Sequence, residues 1–278
     1  MSYIFLRFPG FKDKALTLSY DDGTIYDRKL IDIMNKNGLK GTFNLNSGFF
    51  AEKEGGFRLT KSEALKLYKK SGHEVSLHGA KHLSLAEVDS ALATNDVLSD
   101  RKYLEETFGV PVQGMAYANG SYNDRVVQIL KNCGVRYART TETTERFDIP
   151  TDWLRLPATC HHNHPDLMGL AKKFLEENSS YYWSKRQKLF YLWGHSYEFN
   201  NNDNWQVIEE FAAYVGGRDD VWYATNGEIC DYVEAYDRLR FGANGDFVYN
   251  PSAISVYLNY YDKQYVVPAG GTIKLVYA

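Results

Sequence analysis

The sequence predicts an α/β protein built on a parallel sheet. Three observations carry this. Short apolar strands alternate with helical stretches along most of the 278 residues. Polar residues gather where those strands end, as they do on the active rim of parallel α/β folds. The dinucleotide fingerprint G-x-G-x-x-G and the phosphate loop G-x-x-x-x-G-K-[ST] are both absent, which weakens a nucleotide-binding open sheet. A barrel and an open doubly wound sheet both fit the alternation.

The elements follow in order. Residues 15–20 form an apolar run into Asp21-Asp22-Gly23, a buried strand entering a turn. Leu30, Ile31 and Met34 give helical spacing over 27–37, with Gly38 as the stop. A strand over 41–45 precedes a helix over 61–71 that ends at Gly72. The strand over 74–77 delivers His78. A long helix over 86–107 closes at Gly109, and a strand over 114–117 runs to the turn at Asn119-Gly120. Further along, helices are expected over 123–132, 166–177, 204–215 and 227–236, with strands over 135–140, 188–193 and 221–225 between them. The strand over 188–193 leads to Gly194-His195. After about residue 240 the texture changes to strand-like segments over 247–249, 254–260 and 272–277, separated by turn residues. Residues 1–240 are therefore expected to form the main unit. Residues 241–278 are expected to form a small antiparallel β extension packed on it, too short for a core of its own.

Composition narrows the function. Lys and Arg number 32 and Asp and Glu 35, a net charge of −3. That gives no global attraction to nucleic acid or to anionic membranes. Apolar residues at 44% and charged residues at 24% are ordinary for a soluble globular chain. No run approaches the roughly 18 apolar residues of a membrane helix. Cys133, Cys160 and Cys230 are odd in number and far apart, so they are neither a disulfide framework nor a thiolate zinc site. The N-terminus has no basic segment followed by an apolar core, so the chain as it stands reads as cytoplasmic. The aromatic content is 15%, with 22 Tyr, which suits either stacking on sugar rings or a Tyr-rich core.

The chemistry-bearing residues come next. Neighbouring residues of a strand point to opposite faces, so Asp21 and Asp22 are expected together in the turn before Gly23, where both can reach one cavity. Two carboxylates that close raise each other's pKa unless a cation intervenes. A divalent metal lets one ligate while the other serves as a base; the alternative is ordinary Asp-Gly turn chemistry. His78 and His82 stand at i and i+4, and on one helical turn they face the same way and can bind one metal. The zincin pattern H-E-x-x-H needs a Glu where this chain has Gly79, so its base must come from elsewhere, and Asp21 is available. His195, at a strand end before Ser196-Tyr197-Glu198, can give up a proton near neutral pH. His161, His162 and His164 read as a rim loop with substrate-contacting or solvated imidazoles, with metal binding as the alternative.

Together these residues resemble the polysaccharide deacetylase family, the NodB-homology group of carbohydrate esterase family 4. Ser19-Tyr20-Asp21-Asp22-Gly23 stands for its opening T-F-[DS]-D-G, and His78 through His82 for its H-[ST]-x-x-H, with Gly79 in the Ser/Thr slot. Ala116-Tyr117-Ala118-Asn119-Gly120 takes the place of R-x-P-[FY]-G and keeps only the Gly. Leu192-Trp193-Gly194-His195 matches the last motif. The resemblance spans roughly residues 10–235. It implies a distorted (β/α) TIM-like barrel of seven strands and metal-dependent removal of acetyl groups from an N-acetylated sugar. It makes Asp21 the general base and His195 the acid. Asp22, His78 and His82 become the ligands of a divalent metal, zinc first, with cobalt, nickel or manganese as alternatives. The expected partner is an acetylated carbohydrate, bound near Asn119, Tyr117, His161 and His162. The family's base-orienting Arg is Ala116 here, and Arg155 is expected to substitute. Asp152-Trp153 is expected to stand for the fourth motif, which tunes the acid. An O-acetyl ester hydrolase, a cyclic amide hydrolase and a carbohydrate-binding protein with a vestigial site are the alternatives.

Overall fold

The computed structural model describes residues 4–176, 186–261 and 263–276. Its first half runs β1 (Ile4–Arg7), β2 (Lys14–Asp21), α1 (Asp27–Lys36), β3 (Gly41–Leu45), α2 (Lys61–Ser71), β4 (Glu74–Leu77), α3 (Ser90–Phe108), β5 (Gly114–Ala116), α4 (Asp124–Asn132) and β6 (Tyr137–Thr143). Two short strands follow, β7 (Leu156–Ala158) and β8 (Cys160–His161). Then come α5 (Leu167–Glu176), β9 (Lys188–His195), α6 (Ser196–Asn201), α7 (Gln206–Val215), β10 (Val221–Tyr223) and α8 (Asn226–Asp237).

The central sheet has the order β7-β6-β5-β4-β3-β2-β9-β8, with every pair parallel. β10 pairs with the first half of β2, and β3 with the second half. Closure comes from one extended stretch. β7 pairs with β6, and one residue later β8 pairs with β9. Between them, the Thr159 N–H donates to Tyr191 O at 2.9 Å. Residues 156–161 thus change partners and bring the two edges together, which abolishes most of the free sheet edge. Counted as one position, they make the barrel seven-stranded, the distorted α/β barrel that the resemblance implies.

The alternation of β2 explains how the barrel is filled. Leu16, Leu18 and Tyr20 are fully buried among residues of α1, α2 and their neighbours, in the large cluster between sheet and helices. Thr17, Ser19 and Asp21 alternate with them and face a polar interior. Thr17 Oγ1 donates to Asn226 Oδ1 at 2.9 Å, and Asn44 Nδ2 donates to Ser19 Oγ at 2.9 Å. The floor is closed by Glu74, which accepts from Thr42, Tyr137 and the Gly227 N–H at 2.8, 2.8 and 2.9 Å. The apolar weight of the fold therefore lies outside the barrel, and the inside is left for chemistry.

Helix ends follow their caps. α2 opens with a reciprocal capping box between Thr60 and Glu63 and closes at Gly72 with φ 78°. α3 starts at Ser90 rather than at residue 86, because the Asp89 carboxylate accepts from the N–H groups of Ala91 and Leu92 at 2.9 and 3.0 Å. The final residues of the helix expected over 166–177 and of the strand expected over 272–277 lie outside the described residues.

The C-terminal region adds β11 (Arg240–Phe241), β12 (Phe247–Tyr249), β13 (Val256–Tyr260), β14 (Lys263–Val267) and β15 (Thr272–Lys274). They form two small antiparallel sheets, β11-β12-β15 and β1-β13-β14. The sequence pattern missed β1 as their partner. Tyr232 of α8 ties this layer down, donating to Arg7 O at 2.7 Å and accepting from the Tyr257 N–H at 2.9 Å. Among the described residues no helix is long and apolar enough to cross a membrane.

Asp27 opens α1 and is fully buried. Tyr68 donates to its Oδ2 at 2.5 Å, and Ser196 to its Oδ1. Burial raises this carboxyl to about 7, against an ordinary value of 3.8, and the two hydroxyl hydrogen bonds offset only part of the rise. A raised folded pKa means stability that is fully present below the unfolded value and is lost as pH rises through the folded one. Asp27→Asn should therefore gain on the wild type between pH 4 and 7, by on the order of 4 kcal/mol. Urea midpoints at the two pH values check this; an unchanged gap between the proteins contradicts it.

Candidate active site

Asp21 is the last residue of β2, and Asp22 begins the turn. Both were expected in the turn; the structure separates them. Asp22 has φ 87° and Gly23 φ 63°, so the chain enters left-handed conformations immediately after the strand. That reversal breaks the alternation and lets both carboxylates face one cavity. Arg58 holds the turn: it donates to Asp22 O, and its Nη2 lies 3.2 Å from Asp22 Oδ1.

His78 and His82 are not on a helix. Gly79 has φ 79° and His82 φ 52°, so a tight irregular turn brings the two rings to a centroid distance of 4.7 Å. A Cβ at residue 79 would lie 2.6 Å from Asp96 Oδ2, and its backbone would be strained, which is why Gly fills the family's Ser/Thr slot. Asn46 Nδ2 donates to the carbonyls of His78 and Gly79 at 2.9 and 2.8 Å and pins the turn from β3's end.

These residues fit a divalent metal. One ligand atom each of Asp22, His78 and His82 lies within 4.8 Å of the others. His78 Nδ1 is 2.8 Å from Ala116 O. A carbonyl can only accept, so Nδ1 carries the proton and the Nε2 lone pair is free. Burial, the largest influence, pushes the His78 imidazole down and keeps it neutral. Two imidazoles and one carboxylate form a three-ligand set that leaves positions open.

Asp21 is 2% exposed and is the centre of the charge network. Its Oδ1 accepts from Asn44 Nδ2 at 2.8 Å, and its Oδ2 accepts from Arg139 Nη2. His78 Nε2 and His195 Nε2 lie 3.7 and 3.9 Å from Oδ2. Burial alone would raise the Asp21 carboxyl. Arg139, then His78 and His195, and the Asn44 hydrogen bond outweigh burial and hold it below its ordinary value. Arg139 is 1% exposed and sits 4.2 Å from the centroid of the Trp193 ring.

His195 ends β9, directly beside Asp21 in the register of the sheet. Its Nδ1 is 3.4 Å from Glu198 Oε1, while Glu198 Oε2 is 3.2 Å from His161 Nε2 and 2.9 Å from His162 Nε2. Burial would raise Glu198, but the close imidazoles of His161, His162 and His195 hold it far below the usual carboxylate range. Burial would lower His195; the adjacent Glu198 carboxylate and the Asp21 charge raise it above its ordinary value. Tyr197 lies 5.1 Å from the His195 ring and 5.4 Å from that of Phe57, forming an aromatic wall beside His195.

The sequence pattern of the polysaccharide deacetylase family matches residues 9–138, the stretch that carries Asp21, Asp22, His78 and His82. Over these residues, just under half of the chain, the sequence is similar to polysaccharide deacetylases. Among curated proteins, the uncharacterized protein YlxY of Bacillus subtilis is 25% identical over 107 residues, covering 38% of this chain and 31% of that protein. The chain thus spans about a third of the length of that relative. Solved structures share the fold. A Mycobacterium smegmatis protein solved as a candidate polysaccharide deacetylase aligns at TM-score 0.56 and 16% identity, covering 84% of this chain and 94% of its own. The CE4 domain of a multidomain xylanase from the hindgut metagenome of Trinervitermes trinervoides gives 0.52 and 14%, covering 80% and 92%. The family 4 carbohydrate esterase of Streptomyces lividans, solved with acetate, gives 0.50 and 13%, covering 77% and 93%.

Against the deacetylase motifs, this chain moves its arginine by one strand. Ala116 fills the family's Arg slot on β5, and Ala116 pairs in register with Arg139 on β6. The guanidinium therefore enters at the same level of the barrel from the next strand. Arg155, the expected substitute, instead pairs with Asp124 and Asp152 at 2.5 and 2.6 Å near the surface. Asp152 caps the turn at 153–155 through the Leu154 N–H, at 3.0 Å, and Trp153 packs against the cluster around Tyr191. Neither approaches His195 among the contacts described. Tyr117 is buried, donates to Leu154 O at 2.8 Å and stacks on Tyr122, so it supports the wall rather than lining the cavity. Asn119 is exposed at φ 56°, its Nδ2 donating to Ser84 Oγ at 3.0 Å. His164 stands apart, 3.2 Å from Glu145.

Sequence reasoning missed Arg139, Glu198, Asn44 and Arg58. For Arg139 a signal existed: Tyr137 and Arg139 share one face of a strand, and a cation inside a barrel needs a buried anion. Glu198 stands at i+3 from His195, within reach on one helical turn.

Proposed function

We propose that the chain is a metal-dependent hydrolase that removes acetyl groups from an N-acetylated sugar or oligosaccharide. The observation that carries this reading is the juxtaposition of three metal donors with a buried, ionised Asp21 whose Oδ2 is 3.7 Å from His78 and 3.9 Å from His195. Asp22, His78 and His82 would hold the metal. A divalent ion bound there supplies a Lewis acid for a carbonyl and lowers the pKa of a coordinated water.

The chain's own groups do the proton work. Asp21 is ionised and held by Arg139 and Asn44, so it accepts the proton of the water that attacks the acetyl carbon. His195 Nε2 faces the same carboxylate from the opposite side and gives its proton to the departing nitrogen. The C–N bond breaks with its electron pair on nitrogen, and the products are an amine and acetate. The aromatic rings of Tyr197, Phe57 and Phe49 support a sugar as the carrier, since Phe57 and Phe49 are 47% and 40% exposed and both lie against Arg58, which holds Asp22.

Acetate release tests the reading. Protein stripped by chelation and reloaded with zinc or cobalt would be offered N-acetylglucosamine oligomers, acetylated xylan and simple acetyl esters. Metal-dependent release, fastest from the N-acetyl oligomers, is expected. Release from acetylated xylan alone would assign an ester hydrolase, and sugar binding with no release from any substrate would assign a vestigial site.

A further inference from the structure

Among the described residues, two clusters bring metal-type donors together: Asp22, His78 and His82, and also His161, His195 and Glu198. Proton placement separates them. At the first, the Ala116 carbonyl takes the Nδ1 proton of His78 and leaves Nε2 free. At the second, the Asn163 N–H donates to His161 Nδ1 at 3.1 Å, so in the neutral ring the proton sits on Nε2, toward Glu198. His162 behaves alike. It is 1% exposed, and among the described residues neither of its ring nitrogens makes a well-aligned hydrogen bond. Its Nε2, 2.9 Å from Glu198, is the ring atom with an acceptor in reach. Gly194 makes this possible, because a Cβ there would collide with the His162 ring. The second cluster is thus a carboxylate ringed by donors.

We propose that Glu198, clamped by His161 and His162, is the positioning carboxylate of His195 and suits the site to amide rather than ester substrates. The inference rests on the deacetylase reading. His195 Nδ1 is buried and has no well-aligned partner among the described residues, and Glu198 Oε1 at 3.4 Å is the acceptor beside it. A proton kept on Nδ1 leaves Nε2, on the Asp21 side, to carry the transferable proton. The other groups facing His195 are Asp21 from β2 at 3.9 Å, His161 from β8 at a ring distance of 6.2 Å and Tyr197 from α6. Asp22 acts on it only at longer range. Glu198 is therefore the anion committed to its Nδ1 side. An amine cannot depart without a proton, whereas an alkoxide departs more readily, so a strongly held imidazolium matters most for C–N cleavage.

Glu198→Gln and Glu198→Asp in the metal-loaded protein test this. Turnover of an N-acetylglucosamine oligomer and of an aryl acetate would be followed from pH 5 to 9, with metal equivalents and the ¹⁵N resonances of His195 recorded alongside. For Glu198→Gln the expected result is a fall of roughly 10²–10⁴-fold in amide kcat, a far smaller fall for the ester, and an alkaline limb moved to lower pH. Bound metal should stay at its wild-type level, the His195 titration should move to lower pH, and Glu198→Asp should recover part of the amide rate. Equal loss on both substrates with an unmoved limb, or loss of a second equivalent of metal, would overturn the proposal. The resonances keep the two readings apart: a shifted His195 titration in a protein that releases no acetate would count against the deacetylase reading and uphold the Glu198–His195 coupling.

Discussion

Replacing Arg139 with methionine leaves the Asp21 carboxylate buried without its cation, and the expected cost is about 3–5 kcal/mol of stability. Both side chains are at most 2% exposed, and Arg139 Nη2 donates directly to Asp21 Oδ2. Water cannot take over from a guanidinium in such a place, so the carboxyl must either protonate or draw the barrel open. Arg139→Met combined with Asp21→Asn removes the orphaned charge and should recover most of the loss, since a buried pair replaced as a whole is far less costly than a pair broken in half. Urea denaturation of the single and double variants measures this directly. Additive losses would mean that the two groups are not coupled and that Arg139 serves Trp193 alone.

His78→Ala should abolish uptake of the metal at the first cluster. Removing even an outer partner of a metal-bound histidine costs about 10–100-fold in affinity, and removing the ligand itself costs more. The fold should survive, because the His78 backbone is independently held: its N–H donates to Leu45 O at 3.0 Å, and its carbonyl accepts from Asn46. Equilibrium dialysis against zinc, read beside a circular dichroism melt, separates loss of metal from loss of structure. Zinc retained at the wild-type level by a folded variant would remove His78 from the ligand set.

Most of the barrel was legible because its strands are short apolar runs ending in polar residues, and its helices keep a 3.6-residue apolar spacing. Residues 41–45, 61–71 and 74–77 were read to the residue. The illegible parts share a cause: their state is set by neighbours distant in sequence. β7 and β8 are three and two residues long and exist because β6 and β9 flank them. β1 is a strand because β13 lies beside it some 250 residues later. The turn at Asp22 depends on left-handed backbone that spacing does not reveal.

The site divides the same way. Asp21, Asp22, His78, His82 and His195 stand in sequence motifs, and the fold brings them together. The groups that control them were hidden. Arg139 reaches Asp21 across 118 positions, and the pattern of the family pointed to an arginine on the neighbouring strand instead. Glu198 was visible beside His195, but the grip of His161 and His162 upon it is a tertiary contact. Asp152 fits the fourth motif by its sequence and is occupied at the surface with Arg155.

The central claim is that Asp21 works as a base beside a metal held by Asp22, His78 and His82. Acetate release from an N-acetylglucosamine oligomer by zinc-loaded Asp21→Asn, with bound zinc counted in the same sample, tests it most directly. The variant keeps an oxygen for Arg139, and Asn44 Oδ1, which has no hydrogen-bond partner among the described residues, can turn to accept the new amide. The account expects zinc to stay at the wild-type level while release falls by roughly 10²–10⁴-fold. Zinc bound and acetate released at the wild-type rate would contradict it.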